Sequence, residues 1–253
     1  VEDVQILSSN LVQNGDFSEE GVQEVSNGSF SQEGVELVTN GSFDTDSDWT
    51  KGTGWSIGDG KAISDGTSSN LDQSNTFLSG KTYKVVYTIE DYVSGDTRFR
   101  FTGTSNENGT LRSANGIYTE YITLTNNQSI LRFVGSGILS ITNISVKEVG
   151  QDWAFTSGAT LTDIGAKITH TPTAGSIAQT SVLTIGKQYK LTYEITENIS
   201  GGLKFNSAID TALVTSVGVH TKYFEADGTT AVFGRTSSSN NDVTIDNISV
   251  KEY

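Results

Sequence analysis

The chain has 253 residues, with thirty acids against sixteen bases and a formal net charge of −14. No basic surplus exists to displace counterions from phosphate, which disfavours nucleic-acid binding, and none is expected. Cysteine is absent, which excludes disulfides and thiol catalysis, and no apolar run is long enough for a membrane-spanning helix, so no membrane insertion is expected. No signal peptide is legible, and the start at Val1 without any Met implies a processed or omitted leader.

The first fifty residues hold eleven acids and no Lys or Arg, and they repeat one phrase three times at a period of 13 residues. The copies open Leu11-Val-Gln-Asn-Gly-Asp-Phe17, Glu24-Val-Ser-Asn-Gly-Ser-Phe30 and Leu37-Val-Thr-Asn-Gly-Ser-Phe43. Thirteen residues suit one strand plus a turn. Only the third copy runs directly into globular sequence, so the first two read as surplus strands in need of partners. Residues 1–36 are therefore expected to be an extended arm. Its apolar positions, Val12, Phe17, Val22, Val25, Phe30 and Val35, are expected to bury one face against a sheet edge of a neighbouring subunit. That makes a homo-oligomer the expected partner, as a filament or a closed ring.

Beyond residue 45 a longer repeat begins. Asp48-Trp49 answers to Asp152-Trp153, and Gly80-Lys-Thr-Tyr-Lys answers to Gly186-Lys-Gln-Tyr-Lys. Asn143-Ile-Ser-Val-Lys-Glu148 answers to Asn247-Ile-Ser-Val-Lys-Glu252, so the offsets run from 104 to 106 residues. Two tandem copies of one domain follow, at residues 37–149 and 150–253. Tyr83, Val85, Tyr87 and Ile89 alternate with polar neighbours, as do Tyr189, Leu191, Tyr193 and Ile195. Residues 119–124 and 129–134 read as strands around an Asn-Asn turn, and residues 138–149 and 243–250 as closing strands. The expected fold is all-β: two tandem β-sandwich (jelly-roll) domains behind the arm. The second copy enters its Asp-Trp straight from the closing strand of the first, so it lacks an opening strand of its own.

The opening phrase of residues 37–43, Trp49, Gly54-Trp55 and the Asn-Ile-Ser-Val-Lys-Glu ending resemble galactose-binding-like jelly rolls. More narrowly, they resemble the carbohydrate-binding modules found beside xylanases and glucanases, and tandem copies of this kind resemble structural or appendage proteins of marine bacteriophages. The resemblance implies a structural calcium where first and last strands meet, for which Asp44, Asp46 and Asp48 with Asn143 are the matching positions. It also implies a polysaccharide ligand, which needs aromatic faces and planar polar side chains. Trp49, Trp55 and Trp153 are read as core anchors where strands begin, which leaves Tyr92 and Tyr118, near turns, as the glycan-binding candidates.

No catalytic pattern is present. His170 and His220 sit at non-equivalent positions of the repeat, outside any zinc or triad spacing. Asn-x-Ser/Thr triplets, such as those at Asn40, Asn143 and Asn247, fall within the strand repeats and read as products of the fold. The reading is a non-catalytic structural protein, extracellular or on a virion surface, that assembles through its arm. The alternative is a glycan-binding adhesin in which the arm is a linker.

Overall fold

The alternation at Tyr83, Val85, Tyr87 and Ile89 does what its period requires: all four side chains are buried, and Lys84, Val86, Thr88 and Glu90 face outward. Tyr189, Leu191, Tyr193 and Ile195 repeat this in the second half. The computed structural model describes residues 19–156, 158–170, 174–206, 211–236 and 240–253. Among these there is no helix, and the strands form two β-sandwiches of matching design.

In the first sandwich one sheet runs Trp55–Gly58, Lys61–Asp65, Ile138–Val149, Thr82–Ser94, Gly116–Thr123, with Glu33–Glu36 paired to the far end of Ile138–Val149. The facing sheet runs Thr50–Lys51, Ser69–Phe77, Gln128–Gly135, Thr97–Gly103, Asn106–Asn108. The second sandwich repeats both orders. One sheet is Ala159–Thr162, Gly165–Thr169, Asp242–Glu252, Gln188–Ser200, Gly218–Glu225, and the other is Ala154–Phe155, Ser176–Gln179, Ala231–Arg235, Leu203–Phe205, Thr211–Ala212. All pairings are antiparallel, and each sandwich has its own aromatic core. Phe99, Phe101 and Phe133 fill the first; Phe205, Phe224 and Phe233 fill the second.

The two halves even share their unusual backbone. Asn40 and Asn27, Phe43 and Phe30, Asp48 and Asp152, and Asn143 and Asn247 all adopt positive φ, between 46° and 72°. Asn and Asp tolerate this conformation; a Phe in it is strained, and burial of both Phe rings is what offsets the strain. Asn143 lies in a break of register between Thr142 and Ser145, so the Asn of the closing motif sits at a β-bulge.

The arm is where the structure departs from the sequence reading. Residues 20–30 are the missing opening segment of the second sandwich, supplied within the same chain. Gly21 N–H donates to Glu252 O and Glu24 N–H to Val250 O, both at 2.8 Å, while Ile248 N–H donates to Gly28 O at 2.9 Å. Residues 33–43 serve the first sandwich in the same way: Leu37 N–H donates to Val146 O and Ile144 N–H to Gly41 O, both at 2.9 Å. The expected arm boundary at residue 36 therefore falls inside the opening segment of the first sandwich, and the first sandwich is inserted between the second sandwich's opening segment and the rest of it. Pairing in cis replaces the expected pairing to a neighbour because the closing strand of each sandwich offers the matching edge. Val25 and Phe30 are buried in the chain's own second core rather than against a neighbour. Val22 and Val35 are 77% and 79% exposed, because the one-residue alternation aims them away from the sheet. Val12 and Phe17 lie outside the described residues.

Candidate functional site

Each opening segment is read through its backbone. Gln73, buried in the first sandwich, accepts from Thr39 N–H at 2.9 Å and donates to Thr39 O at 2.7 Å. Gln179 does the same to Ser26, at 2.7 and 3.1 Å. The indole N–H of Trp49 donates to Asn40 O at 3.1 Å, and that of Trp153 to Ser26 O and Asn27 O at 3.1 and 3.0 Å. The tryptophans are thus core anchors with a polar contact to the opening segment.

The Asp44, Asp46 and Asp48 carboxylates do not gather. Asp44 accepts from the Ser42 hydroxyl, Asp48 from the Ser47 hydroxyl, and Asp46 pairs with Lys51. Inside this turn the Asn40 side-chain amide donates to Thr45 O at 2.7 Å and Ser47 O at 3.1 Å, so an N–H donor takes carbonyls that a calcium ion would need. Asn27 repeats the contact to Gln151 O at 3.0 Å. Asn143 serves the bulge. Among the described residues, no group of three or more His, Cys, Asp or Glu side chains is placed to hold a metal, and the residues present do not fit the implied cation.

Tyr92 and Tyr118 both pack against the first core. The Tyr118 ring lies 5.5 Å from that of Tyr87 and carries the Arg112 guanidinium at 4.6 Å, and its hydroxyl donates to Ala114 O. The Tyr92 hydroxyl donates to Gly95 O. Arg112 also pairs with Glu120 at 3.1 Å, and both tyrosines are half-buried.

A different group of residues forms an open polar surface. On strand Thr97–Gly103, Phe99 and Phe101 point inward, which turns Arg98, Arg100 and Thr102 out. On Gln128–Gly135, Leu131 and Phe133 point inward and Arg132 out. The register then aligns Asp72, Arg132, Arg100 and Asn108 in one row across four strands, with Asn70, Val134 and Arg98 in the row beside it. Arg132 is held by a bidentate pair to Asp72, at 2.7 and 2.6 Å, and Arg100 Nε donates to Asn108 Oδ1 at 2.7 Å. Arg98 Nε is buried and has no partner among the described residues. Burial holds the Arg100 guanidinium below its usual range, and the like charges of Arg98 and Arg132 add to this. Three arginines against one aspartate make this a cationic face on an acidic protein, with guanidinium and amide planes fixed side by side. The chain's Arg-Phe-Arg-Phe alternation at residues 98–101 was the sequence signal for it.

The same face of the second sandwich differs. Phe233, Phe205 and Ile177 stand in the row equivalent to Phe133, Phe99 and Leu71. Small residues, Ser176 and Gly234, therefore replace Asn70 and Val134, and Lys204 replaces Arg98. They line a cavity of about 510 Å³ together with Asn206 and Arg235. A further cavity of about 380 Å³ lies between the sandwiches, where Phe30, Glu33, Lys84, Tyr121 and Asp246 meet. Its charges are largely spent on one another: Glu33 bridges Lys84 at 2.7 Å and Lys147 at 2.9 Å.

No family model matches the sequence, and no curated protein matches it. Among solved structures, the tandem CBM22-1–CBM22-2 domain of Xyn10C from Paenibacillus barcinonensis aligns over 93% of this chain and 99% of its own, at 9% identity and a TM-score of 0.27. A protein of Parabacteroides distasonis aligns over 87% and 97%, at 9% identity and a TM-score of 0.21. AerE from Microcystis aeruginosa aligns over 76% and 91%, at 10% identity and a TM-score of 0.15.

Proposed function

We propose that this chain is a non-catalytic, extracellular polysaccharide-binding protein, and that the outward face of the sheet carrying Arg98, Arg100 and Arg132 is its ligand surface. The observation that carries the reading is the arginine ladder. Pairing to Asp72 and Asn108 preorganises two guanidinium groups. No aromatic side chain stands in the two rows described, so recognition rests on charge-assisted hydrogen bonds rather than on ring stacking. The ligand class is a polysaccharide bearing carboxylates or sulfates, for which a planar guanidinium is the matching donor. The basic cavity on the equivalent face of the second sandwich supplies a second contact, and two weak sites on one chain raise the avidity for a polymer.

The test is affinity electrophoresis and calorimetry with alginate, a polyuronate, beside neutral xylan. Arg100→Ala, leaving Arg132 paired to Asp72, is expected to weaken alginate binding about tenfold or more, since one charge-assisted bond is worth about 1.5–3 kcal/mol. Binding should fall with added salt. Retention of alginate by Arg98→Ala/Arg100→Ala at wild-type strength, or a preference for xylan, would overturn the assignment.

A further inference from the structure

The 13-residue phrase occurs three times, but only two sandwiches are described. The two seated copies show which of its residues a sandwich uses. Val25 and Val38 enter the core, as do Phe30 and Phe43. Asn27 and Asn40 adopt positive φ and donate to the turn before the tryptophan. Gly28 and Gly41 pass so close to the closing strand that a Cβ would lie 1.9 Å from Ile248 O and 2.0 Å from Ile144 O. Ser26 and Thr39 are recognised through the backbone, by Gln179 and Gln73, with their side chains exposed, and Ser29 and Ser42 are exposed as well.

Within the seven positions the first copy keeps Val12, Asn14, Gly15 and Phe17 and differs at Gln13 and Asp16, positions that face solvent in the seated copies; just ahead of them Asn10 stands where Gln23 and Glu36 accept from Val250 N–H and Val146 N–H. We propose that residues 11–17 are a third, interchangeable opening segment. Both acceptor grooves of this chain are already filled in cis, so the target of this segment is a further β-sandwich of the same kind that starts at its Asp-Trp without an opening segment. Such a partner presents a bare closing strand, a buried Gln amide, an indole N–H and an apolar slot for one Phe. This inference stands apart from the polysaccharide reading, since it uses none of the arginine face.

Interchangeability gives a test in the full chain. Residues 31 and 32 alone join the second copy to strand Glu33–Glu36; the first copy would reach the same groove through a longer loop, whose closure entropy grows only with the logarithm of its length. Phe30→Asp is therefore expected to keep a distinct unfolding transition and amide protection in the second sandwich, because residues 11–17 take the vacated groove. Phe17→Asp alone should change nothing in folding. Phe17→Asp/Phe30→Asp should lose the second transition, and a synthetic peptide of residues 7–19 added to it should restore that transition in trans. The same peptide carrying Phe17→Asp should not. Phe30→Asp as damaging as the double substitution, or no rescue by the peptide, overturns the proposal. A chain lacking residues 24–36, one full period, adds an arm without any charged substitution. It should retain both transitions, and loss of the second would equally overturn it.

Discussion

Trp153 joins the opening segment to the second sandwich, and its removal measures that joint. The ring is nearly buried, lies 5.5 Å from Phe30 and 6.1 Å from Phe233, and its N–H holds two carbonyls of the opening segment. Truncating a buried aromatic of this size costs about 3–5 kcal/mol. For a domain of about a hundred residues each kcal/mol moves the melting temperature by roughly 4–8 °C. Trp153→Ala is thus expected to lower the transition of the second sandwich by about 12–40 °C in scanning calorimetry. Trp153→Phe retains most of the apolar surface and should cost only about 1–2 kcal/mol, chiefly the lost hydrogen bonds. Trp49 and Trp55 belong to the first core, so in Trp153→Ala the remaining tryptophan fluorescence reports on the first sandwich alone. Hydrogen exchange locates the effect: the Glu24 and Ser26 amides, bonded to Val250 and Gln179, should lose protection together with strand Asp242–Glu252. A loss below about 1 kcal/mol for Trp153→Ala, or opening of these amides with the first sandwich instead of the second, would refute the nested arrangement.

Two further outcomes follow from named contacts. The Leu78 amide donates to the Tyr83 hydroxyl at 2.8 Å, and the Thr184 amide to the Tyr189 hydroxyl at 2.9 Å. Tyr83→Phe and Tyr189→Phe should each cost about 1–3 kcal/mol in urea unfolding, each in its own sandwich, because an amide loses its partner. Lys147 and then Lys84 hold the Glu33 carboxyl at about 2, below its ordinary value of 4.5. A carboxyl whose folded value is depressed stabilises the fold above its unfolded value and loses that contribution as pH falls toward the folded one. The stability difference between wild type and Glu33→Gln should accordingly hold near neutrality and fade between about pH 4.5 and 2. It should be small, about 0.2–1 kcal/mol per pair, because the carboxylate is one-third exposed. A difference that persists to pH 2 would remove Glu33 from this role.

The period-two alternation around Tyr83–Ile89 and Tyr189–Ile195, and the offset of just over a hundred residues between the Asp-Trp and Asn-Ile-Ser-Val-Lys-Glu motifs, identified two β-sandwiches from sequence alone. Local chemistry suffices for this: alternation defines a half-buried strand, and a duplicated gene leaves its spacing legible. The sequence also showed that the second copy lacked an opening strand and that spare copies lay upstream. Which copy fills which groove was decided only by tertiary structure, because Gln23 meets Val250 across 227 residues and no local rule spans that distance. The same holds at the candidate sites. Asp44, Asp46 and Asp48 matched the calcium positions that the resemblance implies, but the folded turn gives its carbonyls to the amide of Asn40. Arg98, Arg100 and Arg132 become one surface only when the register sets Arg100 opposite Arg132 and Arg132 opposite Asp72. Sequence spacing encodes which face of a strand a side chain takes; which strands lie side by side is set by the packing of the whole sandwich.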